Sequence, residues 1–553
     1  MLSVFSAAGF RFGFVTFHTF FFFYSFNFIM KHIELYDTTL RDGSQAEGIS
    51  FSLHDKCQLA ERLAKLGFDF VEGGYPASND KDRDFFQRMA DGSFDVSGTK
   101  ICAFGMTRRK GTRPEEDAGL AALLESRASV ITMVGKSSRF QVVEILRCSE
   151  QENLDMIHES TAFLRAAGRD VIFDAEHAFD GFKSDPAYTL ECLKAAEAAG
   201  ASRVVLCDTN GGSMPTEIYE IVQKIVAEMK IPVGIHAHND CELAVANSLA
   251  AVEAGARHVQ GCMNGFGERC GNANLISIAA NLALKKGFDV LMPGAVRSLT
   301  DLSRFVYEMV NLKAPVNQPF VGKSAFAHKG GMHVSAINRD SRSYEHIRPA
   351  EVGNERRILV SELSGRSNIV AMAQKHHIEN DSRLMDRILE DVVARESMGY
   401  TYEAADGSFD LLVRKCSGER RSYFDVVKYH VNMTGRNKGD ESRIYTEAIV
   451  KIVIDGETFY EVADGDGPVN ALDSALRKAL IRHYPTLKSL QLLDYKVRVI
   501  NSEAGTAAGV RVVIESKDEN STWGTVGVSE NVVEASWIAL TDSFEYKLFK
   551  DGC

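Results

Sequence analysis

From Lys31 to about Phe288, short apolar runs alternate with longer stretches in which apolar residues recur at helical spacing. This is the sequence form of repeated strand–helix units around a parallel sheet. The runs cover 33–36, 68–72, 100–104, 129–133, 170–173, 203–207, 232–236 and 258–263. Eight of them in near-regular succession predict an α/β fold built on a (β/α)8 TIM barrel. In such a barrel the chemistry-bearing residues belong at the C-terminal strand ends and in the loops just beyond them. Position along the chain therefore becomes a test of function.

After 291 the pattern changes. It is mostly helical to 397, interrupted by a Gly-rich stretch at 322–333 and a polar one at 338–343, and reads as a linker subdomain. From 400 strands return at 447–454 and 457–462, followed by a helix at 469–483. A second set covers 495–500, 510–516 and 522–528, with a helix at 531–542. Two similar βαβ-like halves are implied, each joining a Gly-containing turn to a helix. The turns are Gly465-Asp466-Gly467-Pro468 and Gly524-Thr525-Val526-Gly527. The expected organisation is a catalytic barrel over 30–288 and a helical linker over 289–400 that contributes to the active site. An α+β regulatory and dimerisation domain then fills 401–553.

Residues 1–29 stand apart. They carry 11 of the chain's 33 Phe, including the run Phe20–Phe23, with Arg11 as the one firm positive charge. The basic flank and small-residue cleavage site of a signal peptide are missing, and the first strand begins almost directly after Met30. The expectation is a non-native or unstructured extension ahead of a chain that starts at Met30, rather than a membrane anchor.

Composition narrows the class. With 45% hydrophobic and 25% charged residues over 553 positions, the chain has the balance of a multidomain globular protein, neither disordered nor fibrous. A net charge of −12 without a dense Lys/Arg tract argues against nucleic acid as the main partner. Ten scattered cysteines with no CxxC pair exclude a disulfide scaffold and zinc-finger spacing, and they fit a reducing cytoplasm.

Three constellations carry chemistry. Asp37-Thr38-Thr39-Leu40-Arg41-Asp42-Gly43 follows the first strand, where Asp42 offers a hard oxygen ligand and Arg41 a fixed cationic fork. His236-Ala237-His238-Asn239-Asp240 ends the seventh strand, and the strand period of two puts both imidazoles on one face. Two His and a carboxylate form an open metal site, with Asp42 as the missing carboxylate. Asn264-Gly265-Phe266-Gly267-Glu268-Arg269-Cys270-Gly271-Asn272 follows the eighth strand; its glycines permit close backbone approach, and Asn272 can add a neutral oxygen. Glu72, Glu176 and Thr209 sit at further strand ends. A surface Arg–Asp pair, an accidental HxH and a Gly-rich capping turn are the bland readings of these stretches taken singly. Their shared placement at strand ends favours function.

In order and spacing, DTTLRDG, VEGGYP, HAHND, NGFGERCGN and FAHKGGMH resemble the acyl-condensing branch of the DRE-type TIM-barrel metallo-enzymes, which includes isopropylmalate, homocitrate and citramalate synthases. The stretches 43–48, 73–79 and 361–368 look most like the citramalate synthases of that group. The resemblance implies a Claisen-type condensation of acetyl-CoA with pyruvate, followed by thioester hydrolysis, in isoleucine biosynthesis. It implies a divalent cation (Mn, Mg or Zn) on Asp42, His236, His238 and Asn272. Arg41, Asp42, Glu72 and Thr209 would contact the 2-oxo acid, and Arg41, Glu176, His333 and Tyr344 would be catalytic, the last three by acid/base work. The C-terminal segment would bind an amino-acid effector, isoleucine, and pair subunits into a homodimer. Rivals are an isopropylmalate synthase taking 2-oxoisovalerate, a CoA lyase on the same barrel, and an amino-acid sensor without catalysis. One departure stands out. Asn79-Asp80-Lys81-Asp82 replaces the Asn-Pro-Lys-Asp common in relatives, which predicts a less rigid loop after Tyr75.

Overall fold

A computed structural model of the chain describes residues 32–359, 382–419, 421–438, 441–500, 505 and 507–553. The 1–29 extension and the 361–368 stretch lie outside the described residues. The chain divides into two compact units, one ending at Met292 and the other beginning at Pro293.

In the first unit eight parallel strands close a barrel in sequence order. They are β1 (Glu34–Asp37), β2 (Phe70–Gly74), β3 (Lys100–Met106), β4 (Val130–Lys136), β5 (Asp170–Glu176), β6 (Arg203–Asp208), β7 (Val233–Ala237) and β8 (His258–Gly261), with β8 pairing back onto β1. The predicted runs fall on these strands because a strand buried on both faces must be apolar nearly throughout. Inside the barrel, Tyr36, Phe70, Cys102, Val130, Ile172 and Val205 form an apolar plug. One pleat nearer the mouth the strands present Glu72, Thr132, Asp174, His236 and Gln260, all buried. Polar groups in such a place are costly unless each finds a partner.

The loop after β2, where the proline is missing, is tethered by side chains. Asn79 caps the helix Asp80–Ala90 by accepting from the Asp82 N–H at 2.9 Å, and Lys81 Nζ donates to the Phe51 carbonyl at 2.7 Å. Asp82 accepts from the Tyr75 N–H at 2.8 Å and pairs with Lys56, itself buried on the helix Leu53–Leu66.

The second unit opens with the helices Leu299–Met309 and Gly331–Arg339 and a short parallel pair, β9 (Ala327–His328) with β10 (Arg357–Ile358). The predicted Gly-rich interruption thus ends inside a helix, on which His333 rides. Helices Ser382–Ser397 and Asp406–Ser417 follow, and Ile388, Val392, Phe409 and Leu412 share a core with Val526.

Two three-stranded antiparallel sheets complete the chain: β11 (Asp425–Lys438), β12 (Glu441–Ile454) and β13 (Glu457–Gly465), then β14 (Gln491–Val499), β15 (Val510–Lys517) and β16 (Thr522–Ser529). Each sheet precedes one helix, Pro468–Leu480 or Val532–Lys550, so the halves are βββα and not βαβ-like. The missed strand is β11, in which Lys428, His430, Asn432 and Thr434 alternate with Tyr429, Val431 and Met433, the period of two of a half-buried strand. Gly524 and Gly527 lie within β16, not in a turn. A Cβ on Gly527 would stand 2.0 Å from the Ala535 carbonyl, so glycine lets the last helix lie on the strand. Among the described residues no helix is long and apolar enough to cross a membrane.

Candidate active site

The DTTLRDG segment folds into a tight turn that locks itself. Asp37 accepts from the Thr39 N–H and hydroxyl at 3.1 and 2.7 Å, and the Thr39 oxygen accepts from the Met263 N–H at 2.7 Å. The turn is thereby tied to the loop after β8. Burial pushes the Asp37 carboxyl up to about 7 even though the Thr39 hydrogen bonds pull against it.

Arg41 is fixed from three sides. Its Nε donates to Glu72 Oε2 at 2.7 Å, its Nη1 lies 3.7 Å from Asp42 Oδ2, and its guanidinium carbon stands 3.8 Å above the Phe104 ring. Glu72 is fully buried and takes hydrogen bonds from Arg41, from the Tyr36 hydroxyl at 2.8 Å and from the Thr38 hydroxyl. Burial opposes the Arg41 charge, but Glu72 and Asp42 outweigh it and hold the guanidinium above its ordinary value.

Beside Arg41, side-chain ligand atoms of Asp42, His236 and His238 all lie within 4.8 Å of one another, and all three residues are buried. His236 Nε2 is 3.2 Å from Asp42 Oδ2. Burial would raise the Asp42 carboxyl, but Arg41 and His236 hold it far below the usual carboxylate range. Burial opposes the His236 charge in turn, and the bond to Asp42 outweighs it, so its pKa is raised. Burial and the neighbouring His236 push His238 down to about 4, leaving a neutral imidazole at physiological pH.

Two buried polar atoms of this cluster have no hydrogen-bond partner among the described residues: His238 Nδ1 and Asn272 Oδ1. The residues bridge one another as backbone partners, and Asn272 Nδ2 donates to Cys262 Sγ at 3.3 Å, which leaves its oxygen unengaged. Orphaned acceptors next to a carboxylate fit a divalent cation. The close crossing that seats Asn272 requires glycine, because a Cβ on Gly271 would stand 2.0 Å from the Gly265 carbonyl and that on Gly267 2.8 Å from Asn272 Nδ2.

Thr209 accepts from the His177 N–H at 2.9 Å, which leaves its hydroxyl proton for another acceptor. Glu176 ends β5 beside Lys136, with 2.5 Å between Oε2 and Nζ. Both border a pocket of ≈ 910 Å³ whose wall also carries Arg83, Arg108, Arg109 and Lys110. His333 and Tyr344 lie in the second unit, their rings stacked at 4.1 Å.

Several participants were not read from the sequence. Gln260 accepts at Oε1 from His236 Nδ1 at 2.9 Å and donates from Nε2 to Asp174 Oδ1 at 2.9 Å. Arg269 clamps Asp240 at 2.8 and 2.9 Å and donates to the Thr209 carbonyl at 2.8 Å, joining the loops after β6, β7 and β8. Lys136 and Phe104 were missed as well. The period-two register from His236 and Glu176 would have flagged Asp174, but nothing local marks Gln260.

Comparison with known proteins adds the family. An HMGL-like model matches residues 32–306, a homocitrate synthase post-HMGL domain-like model 320–398, and the LeuA allosteric (dimerisation) domain 403–548. The (R)-citramalate synthase of Aquifex aeolicus is 51% identical, covering 94% of this chain and 98% of the relative. That of Geobacter sulfurreducens is 50% identical with the same coverage. The chain belongs to the citramalate synthase family. A probable 2-isopropylmalate synthase of Methanopyrus kandleri is more distant, at 32% identity over 91% of this chain and 96% of its own length. The chain also carries the family's allosteric (dimerisation) domain.

Proposed function

We propose that this protein is an (R)-citramalate synthase, an acyltransferase that turns an acyl group into an alkyl group on transfer by condensing acetyl-CoA with pyruvate in isoleucine biosynthesis. The observation that carries the reading is the buried Asp42, His236 and His238 cluster with Arg41 locked against it by Glu72. The share of identity with (R)-citramalate synthases, 51% against 32% for the isopropylmalate synthase, supports pyruvate over 2-oxoisovalerate.

Asp42, His236, His238 and Asn272 would hold a divalent cation (Mn, Mg or Zn), which when bound supplies Lewis-acid polarisation of a keto group. Arg41 directs its fork at the oxygen that gains negative charge during attack. Glu72 acts on the 2-oxo acid through Arg41, since its own oxygens are already engaged. Thr209 donates its remaining hydroxyl proton to the pyruvate carboxylate. Glu176, His333 and Tyr344 share the acid/base work: a base takes a proton from the acetyl methyl, the carbanion attacks the keto carbon, and the alkoxide is protonated. Water then cleaves the thioester and releases citramalate and the CoA thiol. The basic wall of the ≈ 910 Å³ pocket next to Glu176 suits the phosphates of coenzyme A.

The C-terminal domain would bind isoleucine and hold two copies of the chain together. The enzyme would work in the cytoplasm, without nucleic acid or membrane as partner. A thiol-release assay with mass detection of product tests the reading. Free thiol and citramalate should form only with acetyl-CoA, pyruvate and a divalent cation together, and their absence under every cation condition would overturn it.

A further inference from the structure

We infer that Gln260 and Asp174 form an orienting relay that sets the tautomer of His236 for cation binding. The inference rests on the reading of Asp42, His236 and His238 as a cation site. His236 and Gln260 are register partners on adjacent strands β7 and β8, and Asp174 lies on β5, so Gln260 spans the barrel interior. All three are buried, with 5%, 1% and 3% of their surface exposed, so no solvent competes for their hydrogen bonds.

A glutamine amide has two ends of nearly equal shape and opposite chemistry. Its oxygen only accepts and its NH2 only donates. Asp174 Oδ1 accepts, which draws the NH2 toward β5 and turns the oxygen toward His236 Nδ1. Nδ1 must then carry the ring proton, and the Nε2 lone pair faces Asp42, 3.2 Å away. Two acceptors face each other at that distance only with a cation, or a proton, between them. With the amide turned over, its NH2 would face Nδ1, the ring proton would move to Nε2, and that nitrogen could no longer be a ligand. Asp174 and Gln260 are thus positioning residues. They touch no reacting atom.

The test measures Mn2+ affinity of the full-length protein by calorimetry or electron paramagnetic resonance, independent of turnover. Asp174→Leu removes the acceptor and should weaken Mn2+ binding about 10- to 100-fold. Asp174→Asn should restore most of the affinity, because its amide oxygen still accepts. In a Gln260→Glu background both oxygens at position 260 accept, so no orientation is needed and Asp174→Leu should then cost nothing. A loss of equal size in both backgrounds, or no loss in the first, would overturn the relay, since a merely structural Asp174 acts regardless of residue 260. If Asp174→Leu does not fold, Gln260→Leu against Gln260→Glu decides: the relay requires the first to lose affinity and the second to keep it, and equal affinities refute it. Failure of the underlying reading looks different, because the unaltered protein would then bind no Mn2+, Mg2+ or Zn2+ stoichiometrically.

Discussion

Above its apolar plug the barrel buries Glu72, Asp174, His236 and Gln260, whereas the sheets of the second unit leave Tyr445, Tyr460, Val462, Val497 and Val499 in solvent. Each arrangement is unfavourable taken alone. Buried polar groups lose hydration, and apolar side chains left outside keep the cost of contact with water. In the barrel the cost is met largely by hydrogen bonds, and among the described residues the atoms left without a partner include His238 Nδ1 and Asn272 Oδ1, which lie together beside Asp42 and His236. In the C-terminal domain none of the described residues covers the apolar strand residues, which is what a surface built for pairing or effector binding looks like. Function is found where each unit departs from apolar-inside, polar-outside patterning, and the sign of the departure tells which function.

The comparison breaks first, and most severely, at the barrel. Asp42→Asn, His236→Ala or His238→Ala should bring turnover to background and lower bound metal, with the C-terminal domain still folded by circular dichroism. Normal metal content together with normal rates in any one of them would dissolve the site. Arg41→Lys comes next: metal stays, and kcat drops by roughly 10²- to 10³-fold, because an ammonium cannot hold the fork geometry set by Glu72 and Phe104. Metal analysis beside steady-state kinetics separates the two classes.

The C-terminal half of the comparison is sharpened by charge. Tyr460→Glu with Val462→Glu should lower the oligomeric state in sedimentation and remove the proposed inhibition by isoleucine, while Mn2+ affinity is unchanged. Unaltered sedimentation and inhibition would mean that the exposed strands are not the pairing face. A cut at Asp425 is a poorer test, because it strips Val526 from Phe409 and Leu412 and exposes their shared core.

The smallest effect concerns Asp518, which accepts from Lys550 and from Lys547, the latter at 2.9 Å. Burial would raise its pKa, but these lysines and the Asn520 and Ser521 N–H groups outweigh it and depress the carboxyl. A depressed pKa means the folded state favours the carboxylate. The stabilisation is therefore full above the ordinary carboxylate value of about 3.9 and is lost as pH falls through and below it. Asp518→Asn should lower Tm by about 2–4 °C at neutral pH, and less as pH falls. A constant difference across that range would refute the assignment.

Much of the barrel was readable from residues alone, because parallel strands buried on both faces leave apolar runs and because DTTLRDG, HAHND and NGFGERCGN keep their ligands close to strand ends. What escaped was set by tertiary placement. Gln260 sits in a strand as an ordinary polar residue until β8 closes against β7, and Lys56 reads as a helix-surface charge until Asp82 is folded beside it. β11 was legible, since Tyr429, Val431 and Met433 alternate with Lys428, His430, Asn432 and Thr434, and it went unread. The glycines of β16 were mistaken for a turn because close packing against a helix and a positive φ both call for the same residue.

The central claim, condensation of acetyl-CoA with the smallest 2-oxo acid, is tested most directly by kcat/KM for pyruvate, 2-oxobutyrate and 2-oxoisovalerate under one metal condition. Pyruvate should be preferred, with 2-oxobutyrate behind it and 2-oxoisovalerate last, because a site that selects a methyl group rejects a branched chain by steric clash. A clear preference for 2-oxoisovalerate would contradict the claim.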